Sequence, residues 1–335
     1  MKQYLEKAMA GTDLTQEETV AAFDLIMSGG ATPAQIGAFL VAMRMKGESA
    51  EEVAGGASSM RKHAVQVDVG DLCVVDTCGT GGDGSHTFNI STAAALVTAG
   101  AGVPVAKHGN RSITSKCGSA DVLMTLGVNL EVAPEVISRC IKEAGIGFMF
   151  APKMHPAMKH AMGPRKELGV RTMFNMLGPM TNPAGAKRQV LGVFSPDLTE
   201  LFANVLRLLG SEKCYIVHGL DGLDEITTTG KTRISELSDG EVKTYELDAK
   251  DFVDTYAATA DLAGGTPEEN AGMVRALLSG EKGPRRDIVC LNAAAAIAAG
   301  GKADDIAQGW AVAQASIDEG KASAALEKLV QVSQG

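Results

Sequence analysis

The stretch DTCGTGGDGSHTFNIST, residues 76–92, decides what kind of chain this is. It follows the short apolar run LCVVD and leads into STAAALVTAGAG, so it reads as strand, glycine loop and helix. It carries G-x-G-x-x-G at Gly79, Gly81 and Gly84, the pattern of a dinucleotide-binding turn. That turn needs an acidic residue ~20 positions further on to hold a ribose. No acidic residue lies between Asp83 and Asp121, and the first arginine that could serve an NADP variant is Arg111. Gly84 is followed by Ser85 and His86, so the P-loop pattern is missing as well. The glycines are therefore expected to hold a different phosphate. Successive glycine N–H groups form an anion-binding concavity, and Asn89, Ser91 and Thr92 stand at the expected start of the next helix, where hydroxyls and unpaired N–H groups favour phosphate. Capping alone would need one such residue.

A second loop follows the next apolar run, VPVAKHG. It supplies Lys107, His108, Arg111 and Lys116 with no acid before Asp121, and adds the hydroxyls of Ser112, Thr114, Ser115 and Ser119. In a chain of net charge −9 such a cluster is a local anion site. Two phosphate-friendly loops after two successive strands imply a substrate with more than one phosphate group. The acidic counterpart is Asp224–Glu225 in IVHGLDGLDEIT, with Asp221 nearby. Adjacent carboxylates at a strand end suit Mg²⁺, which binds hard oxygens and bridges to phosphates. No histidine pair has zinc-like spacing, and no G-x-S-x-G nucleophile signature occurs.

Around this centre the chain divides by pattern. Capping boxes at Thr15–Glu18, Thr32–Gln35 and Ser49–Glu52 predict helices in the first 65 residues. From LCVVD onward, strand and helix signals alternate through IGFMFAP, RQVLGVF, LTELFANVLRLLG and KCYIVHG, and the C-terminal third ends in helices. The expected fold is α/β: a small helical domain, residues 1–70 completed by part of the Pro/Gly-rich segment 160–185, and a large α/β domain, residues 71–335, with a central, mostly parallel sheet. Composition narrows the partners. At 4% aromatic residues and net charge −9, a nucleic-acid binder is not expected. No apolar run is long enough to cross a bilayer and the N-terminus lacks an apolar leader, so a cytoplasmic protein is expected. The six cysteines form no C-x-x-C pair and are expected to be reduced and mostly buried.

Four stretches in order, DTCGTGGDGSHTFNISTAAA, VPVAKHGNRSITSKCGSADVL, FAPKMHPAMKHAMGPRKELGVRTMFNMLGPMTNP and VHGLDGLDEIT, together resemble the anthranilate phosphoribosyltransferases, within the nucleoside phosphorylase and phosphoribosyltransferase group. They span about residues 74–228, and the helical N-terminus fits too. The resemblance implies a nucleoside-phosphorylase-like fold with the site in the cleft between domains, and a homodimer joined through the helical domains. The implied reaction joins anthranilate and phosphoribosyl pyrophosphate, giving N-(5-phosphoribosyl)anthranilate and pyrophosphate in the second step of tryptophan biosynthesis. Two Mg²⁺ ions per subunit are implied, and any anthranilate synthase partner would be a separate chain.

Carried over onto this sequence, the family's pattern gives phosphoribosyl pyrophosphate to Gly79, Gly82, Asp83, Thr87, Asn89, Ile90, Ser91, Thr92, and the run Lys107, His108, Gly109, Asn110, Arg111, Ser112, Ile113, Thr114, Ser115, with Ser119. Anthranilate falls to Gly79, Asn110 and Arg165, in a channel lined by His108, His155 and Pro179. Mg²⁺ falls to Ser91, Asp224 and Glu225. Cys117 stands where serine is common and Met124 where glutamate is; neither is expected to touch a proposed ligand, and Met124, on the helix after the loop, is expected to affect packing or surface charge. No general base is required: an aromatic amine is already neutral at pH 7, and the barrier lies in departure of pyrophosphate, an electrostatic and positioning problem. A pyrimidine nucleoside phosphorylase shares the fold, but its substrate has less use for the Asp224–Glu225 pair. A non-catalytic relative binding anionic polymers is disfavoured by the net charge of −9.

Overall fold

Each of the three predicted capping boxes opens a helix. After α1 (Lys2–Met9), the hydroxyls of Thr15, Thr32 and Ser49 accept the N–H of Glu18, Gln35 and Glu52 and start α2 (Gln16–Met27), α3 (Pro33–Lys46) and α4 (Ala50–Lys62). Their apolar faces meet through Phe23, Ile26, Phe39, Leu40, Met43 and Val53, all fully buried. A Cβ on Gly55 would stand 2.6 Å from the Gln16 carbonyl oxygen, so glycine is what lets α4 lie against α2.

The computed structural model describes residues 1–82, 84–111 and 116–335. The expected site residues Asp83, Ser112, Ile113, Thr114 and Ser115 lie outside them. The alternating segment forms β1 (Val75–Gly79), α5 (Ile90–Gly100), β2 (Val105–Gly109), α6 (Ser119–Thr125), α7 (Pro134–Ala144), β3 (Ile146–Phe150), α8 (Ala151–Met154), α9 (Lys159–Leu168), α10 (Phe174–Leu177), β4 (Arg188–Gly192), α11 (Leu198–Leu208) and β5 (Lys213–Gly219). Strand β1 starts at Val75, later than the apolar run LCVVD suggests, since Leu72 and Cys73 are solvent-exposed.

Among the described residues the sheet has seven strands in the order β3-β2-β1-β4-β5-β6-β7, completed by β6 (Lys231–Ser238) and β7 (Glu241–Asp248). The first five are parallel, whereas β6 and β7 add an antiparallel hairpin. Its two-residue turn, Asp239–Gly240, has positive φ at both positions (53° and 80°), as a primed hairpin turn requires. The strand order reverses between β1 and β4, the point at which open α/β sheets bind ligands beyond the carboxyl ends of the strands.

The remaining chain forms α12 (Pro267–Leu278), α13 (Pro284–Ala299), α14 (Ile306–Asp318) and α15 (Lys321–Ser333). Helix α13 is buried on every side from Ile288 to Ala299. Its alanines let neighbours approach closely, to the point that a Cβ on Gly309 would overlap the Ala294 carbonyl oxygen. A helix apolar all round belongs inside a large core, and this one anchors one face of the sheet. On the opposite face the core of the N-terminal bundle takes in Ala161, Met173, Phe174 and Leu177 from the inserted segment and continues without a break through Phe202 of α11 and Ile216 of β5.

Candidate active site at the point of strand reversal

The last residues of β1 and β4, Gly79 and Gly192, pair in register beside the reversal. The segment after β5 crosses over both. A Cβ on Gly192 would collide with the Asp224 carbonyl oxygen, and one on Gly79 would stand 2.7 Å from Asp224 Oδ2. The two glycines thus allow a carboxylate-bearing loop to lie directly on the strand ends. From there Asp224 Oδ2 accepts the N–H of Gly81 at 2.9 Å, and Glu225 Oε1 accepts the N–H of Ser91 at 3.1 Å. The latter is one of the N–H groups at the start of α5, where negative charge is favoured.

Beneath them lies Lys107, only 1% exposed. Its ammonium donates to the Thr77 carbonyl and lies 3.3 Å from both Thr77 Oγ1 and Ser91 Oγ. Burial pulls its pKa below the usual lysine range, and Asp76 nearby opposes that. Asp76 is itself fully buried, and burial raises its pKa. It accepts the N–H of His108 at 3.1 Å and Asn182 Nδ2 at 2.7 Å. Asn182 Nδ2 also donates to the Ala106 carbonyl at 2.8 Å, so the end of β2 is held at both His108 and Ala106. Asp76, Thr77 and Asn182 were not among the expected residues. An acid closing the apolar run LCVVD was the available signal, because aspartate is rarely buried without a partner.

His108 and His155, far apart in sequence, meet with their Nε2 atoms 3.2 Å apart. Burial is the main cause that lowers both, His108 to about 3 and His155 to about 4. Both rings are neutral near pH 7, one donating and one accepting. Pro179 is buried, and its carbonyl accepts Gln189 Nε2 at 3.0 Å. Arg165 of α9 is half-buried with its guanidinium over the Phe174 ring at 5.0 Å. It makes no ion pair among the described residues.

Other expected residues are engaged with the protein itself. The Asn89 side chain does not cap α5; its Nδ2 donates to the Cys117 carbonyl at 3.2 Å, and its Oδ1 accepts Asn270 Nδ2 at 2.9 Å. Cys117 Sγ lies 3.3 Å from the same oxygen, and Arg111 Nη2 lies 3.8 Å from Met124 Sδ. Through their sulfur atoms both departures from the family pattern therefore contact residues expected to bind substrate, Asn89 and Arg111. Ser119 Oγ donates to the Asn110 carbonyl at 3.1 Å, closing the second loop onto α6. Thr87 forms an isolated bridge with Ala263, and Ile90 points into the core. Thr92 is 1% exposed, and its Oγ1 has no hydrogen-bond partner among the described residues.

The family models described as "Glycosyl transferase family, helical bundle domain" and "Glycosyl transferase family, a/b domain" match residues 2–64 and 72–323. A curated anthranilate phosphoribosyltransferase of Desulfosudis oleivorans is 57% identical over 330 residues, covering 98% of this chain and 97% of that protein. The chain belongs to the anthranilate phosphoribosyltransferase family. The family's enzyme from Moorella thermoacetica is 53% identical over 98% of the chain and 97% of its own length. Among solved structures, anthranilate phosphoribosyltransferase from Thermus thermophilus superposes with a TM-score of 0.94 at 43% identity, over 99% of both chains. The enzyme from Saccharomyces cerevisiae, in complex with PRPP and Mg, superposes with a TM-score of 0.90 at 29% identity, over 99% of this chain and 97% of that one. No helix among the described residues is long and apolar enough to cross a membrane.

The donor set suits a metal that arrives with phosphate. Asp224 and Glu225 supply adjacent carboxylates, and among the described residues no group of three or more His, Cys, Asp or Glu forms a protein-only site. Mg²⁺ is typically held in this way, by one or two carboxylates plus substrate oxygens.

Proposed function

We infer that this chain transfers the phosphoribosyl group of phosphoribosyl pyrophosphate to the amine of anthranilate, giving N-(5-phosphoribosyl)anthranilate and pyrophosphate in tryptophan biosynthesis. The observation that carries the site assignment is the convergence of Asp224, Glu225, Lys107 and the N–H groups of Gly81 and Ser91 at the strand reversal. Cation, hydroxyl and backbone donors there face acidic metal ligands, the chemistry of a pyrophosphate leaving group.

In this reading Gly79, Gly82, Asp83 and Thr87 hold the pyrophosphate and ribose, and Asn89 to Thr92 the phosphoribosyl part. Thr92 Oγ1, lacking a partner among the described residues, would donate to a phosphate oxygen at the start of α5. Lys107 to Ser115, with Ser119, wrap the phosphates and ribose; Ser119 and Asn89 act there chiefly by fixing the loops. Ser91, Asp224 and Glu225 would hold Mg²⁺, two ions per subunit, which neutralises charge on the departing pyrophosphate when bound. Lys107 Nζ adds a fixed cation beside Ser91, with its desolvation already met by folding. Arg165, with no ion pair among the described residues, presents a planar fork to the anthranilate carboxylate. Gly79 and Asn110 border the amine, and His108, His155 and Pro179 wall the aromatic ring. As neutral rings, the histidines exclude water without adding positive charge beside a developing oxocarbenium.

We further propose a division into a helical unit, residues 1–70 with part of 160–185, and an α/β unit, residues 71–335. The helical unit would join two copies into a cytoplasmic homodimer; Met9 and Met45, 71% and 83% exposed on that unit, support such an interface. Anthranilate synthase would be a separate chain.

The test follows anthranilate fluorescence with phosphoribosyl pyrophosphate, with and without Mg²⁺. A Mg²⁺-dependent fall in fluorescence is expected. Stable fluorescence together with phosphorolysis of thymidine would move the chain to the pyrimidine nucleoside phosphorylases instead.

A further inference from the structure

We propose that Arg171 is a positioning residue that holds the glycine loop in its phosphate-binding shape from the side of the helical bundle. The proposal rests on reading Gly79–Gly84 as the pyrophosphate cradle. Three consecutive loop residues are each tethered by a different element. Thr80 Oγ1 accepts the N–H of Phe194, in the loop between β4 and α11, at 3.1 Å. The N–H of Gly81 donates to Asp224 at 2.9 Å. The Gly82 carbonyl accepts Arg171 Nη2 at 2.6 Å. Gly81 and Gly82 have φ of 64° and 76°, a conformation that a glycine pair visits but does not keep unaided. The Arg171 tether is doubled, because its guanidinium also lies over the Phe194 ring at 4.1 Å. Phe194 therefore fixes Thr80 through its N–H and Arg171 through its ring.

Arg171 is well placed to transmit a position. It follows α9 and sits just before Thr172, whose N–H donates to Asn175 Oδ1 at 3.0 Å, and before Met173 and Phe174, which are buried in the bundle core. Its backbone is thus set by the bundle while its side chain grips the loop of the α/β part. Arg171 is exposed and borders a cavity of about 310 Å³ shared with Arg44, Glu48, Phe194 and Asp197, so its side chain is not enclosed by the core. Polar tethering, not core packing, sets where Arg171 lies, so its removal spares the fold.

Steady-state kinetics of Arg171→Ala, Arg171→Lys, Phe194→Ala and Gly84→Ala test this. Arg171→Ala is expected to raise KM for phosphoribosyl pyrophosphate about tenfold, the scale of one lost charged hydrogen bond, with kcat and anthranilate KM changed less than about threefold. Arg171→Lys restores part of the loss. Phe194→Ala gives a smaller rise in the same constant, and the double variant with Arg171→Ala is less than additive. Gly84 has φ of 74°, and among the described residues beyond its chain neighbours no atom lies within 4 Å of an added Cβ, so Gly84→Ala perturbs the loop through backbone strain. If Gly84→Ala raises KM for phosphoribosyl pyrophosphate while Arg171→Ala does not, the cradle stands and the role of Arg171 falls. If neither changes it, the cradle reading falls as well. A rise confined to anthranilate KM in Arg171→Ala overturns the proposal by making Arg171 a substrate contact.

Discussion

The Nε2 atoms of His108 and His155 stand 3.2 Å apart in a place where both rings are buried. Folding holds the two below the usual histidine range, at about 3 and about 4. Between about pH 6.5 and 4 the unfolded chain therefore binds protons that the folded protein refuses at these rings, and stability falls as pH falls through that window. At about pH 5 the loss is on the order of 2 kcal/mol per ring. Urea unfolding at pH 7.5 and pH 5 is the measurement. A His155→Gln variant should show a shallower acid-side decline; an unchanged slope would mean that the rings are charged in the native protein.

Asp224 and Glu225 each accept a backbone N–H as well as facing the proposed metal position. The double variant Asp224→Asn with Glu225→Gln keeps an acceptor oxygen at each position and loses the charge. Turnover should drop by about two orders of magnitude or more, with Mg²⁺ no longer saturating, while circular dichroism and melting change little. Near-normal Mg²⁺-dependent turnover would remove these residues from the metal site.

Gly192 and Gly79 predict opposite phenotypes from the same substitution. Gly192→Ala drives a Cβ into a backbone oxygen of Asp224, so strand or loop must move and the protein should lose several kcal/mol or fail to fold, about the cost of severe overpacking. Gly79→Ala meets the Asp224 carboxylate at 2.7 Å, a side chain that can turn aside. It should fold, and need more Mg²⁺ for half-maximal rate. Melting temperatures and Mg²⁺ titrations of the two variants separate the cases; equal melting temperatures would contradict the packing described here.

Arg165 has Phe174 beneath it and no carboxylate partner among the described residues. Arg165→Lys retains charge but loses the fork and the stacking, so KM for anthranilate should rise about tenfold while KM for phosphoribosyl pyrophosphate stays near its starting value. A rise in the second constant alone would move Arg165 to the other substrate.

Much of this was legible in the sequence because local rules act locally. The capping boxes at Thr15, Thr32 and Ser49 are bonded as their spacing predicts. The acid-free stretch after Asp83 was enough to set aside a dinucleotide. The hairpin of β6 and β7 was missed although Asp239–Gly240 signals it, because the surrounding strands are mixed in polarity, with one edge facing solvent. Asp76, Asn182 and Arg171 were out of reach for another reason. Their partners lie at separations such as 106 residues for Asp76–Asn182 and 89 for Arg171–Gly82, and no spacing rule spans a fold. Asn89 was legible as polar and near the loop; that its amide is spent on Cys117 and Asn270 belongs to tertiary structure.

The alanine run of α13 sets a boundary on how this chain can vary. Ala293 to Ala296, Ala298 and Ala299 have no exposed surface, and Gly309 presses on Ala294. Every larger side chain overfills and every glycine loosens the helix, so each position has few neighbours in sequence space. A saturation library across residues 293–299 should return almost only the parental residues, whereas the exposed faces of α14 and α15 should drift freely. Divergence in this protein is channelled outward from a centre that cannot grow.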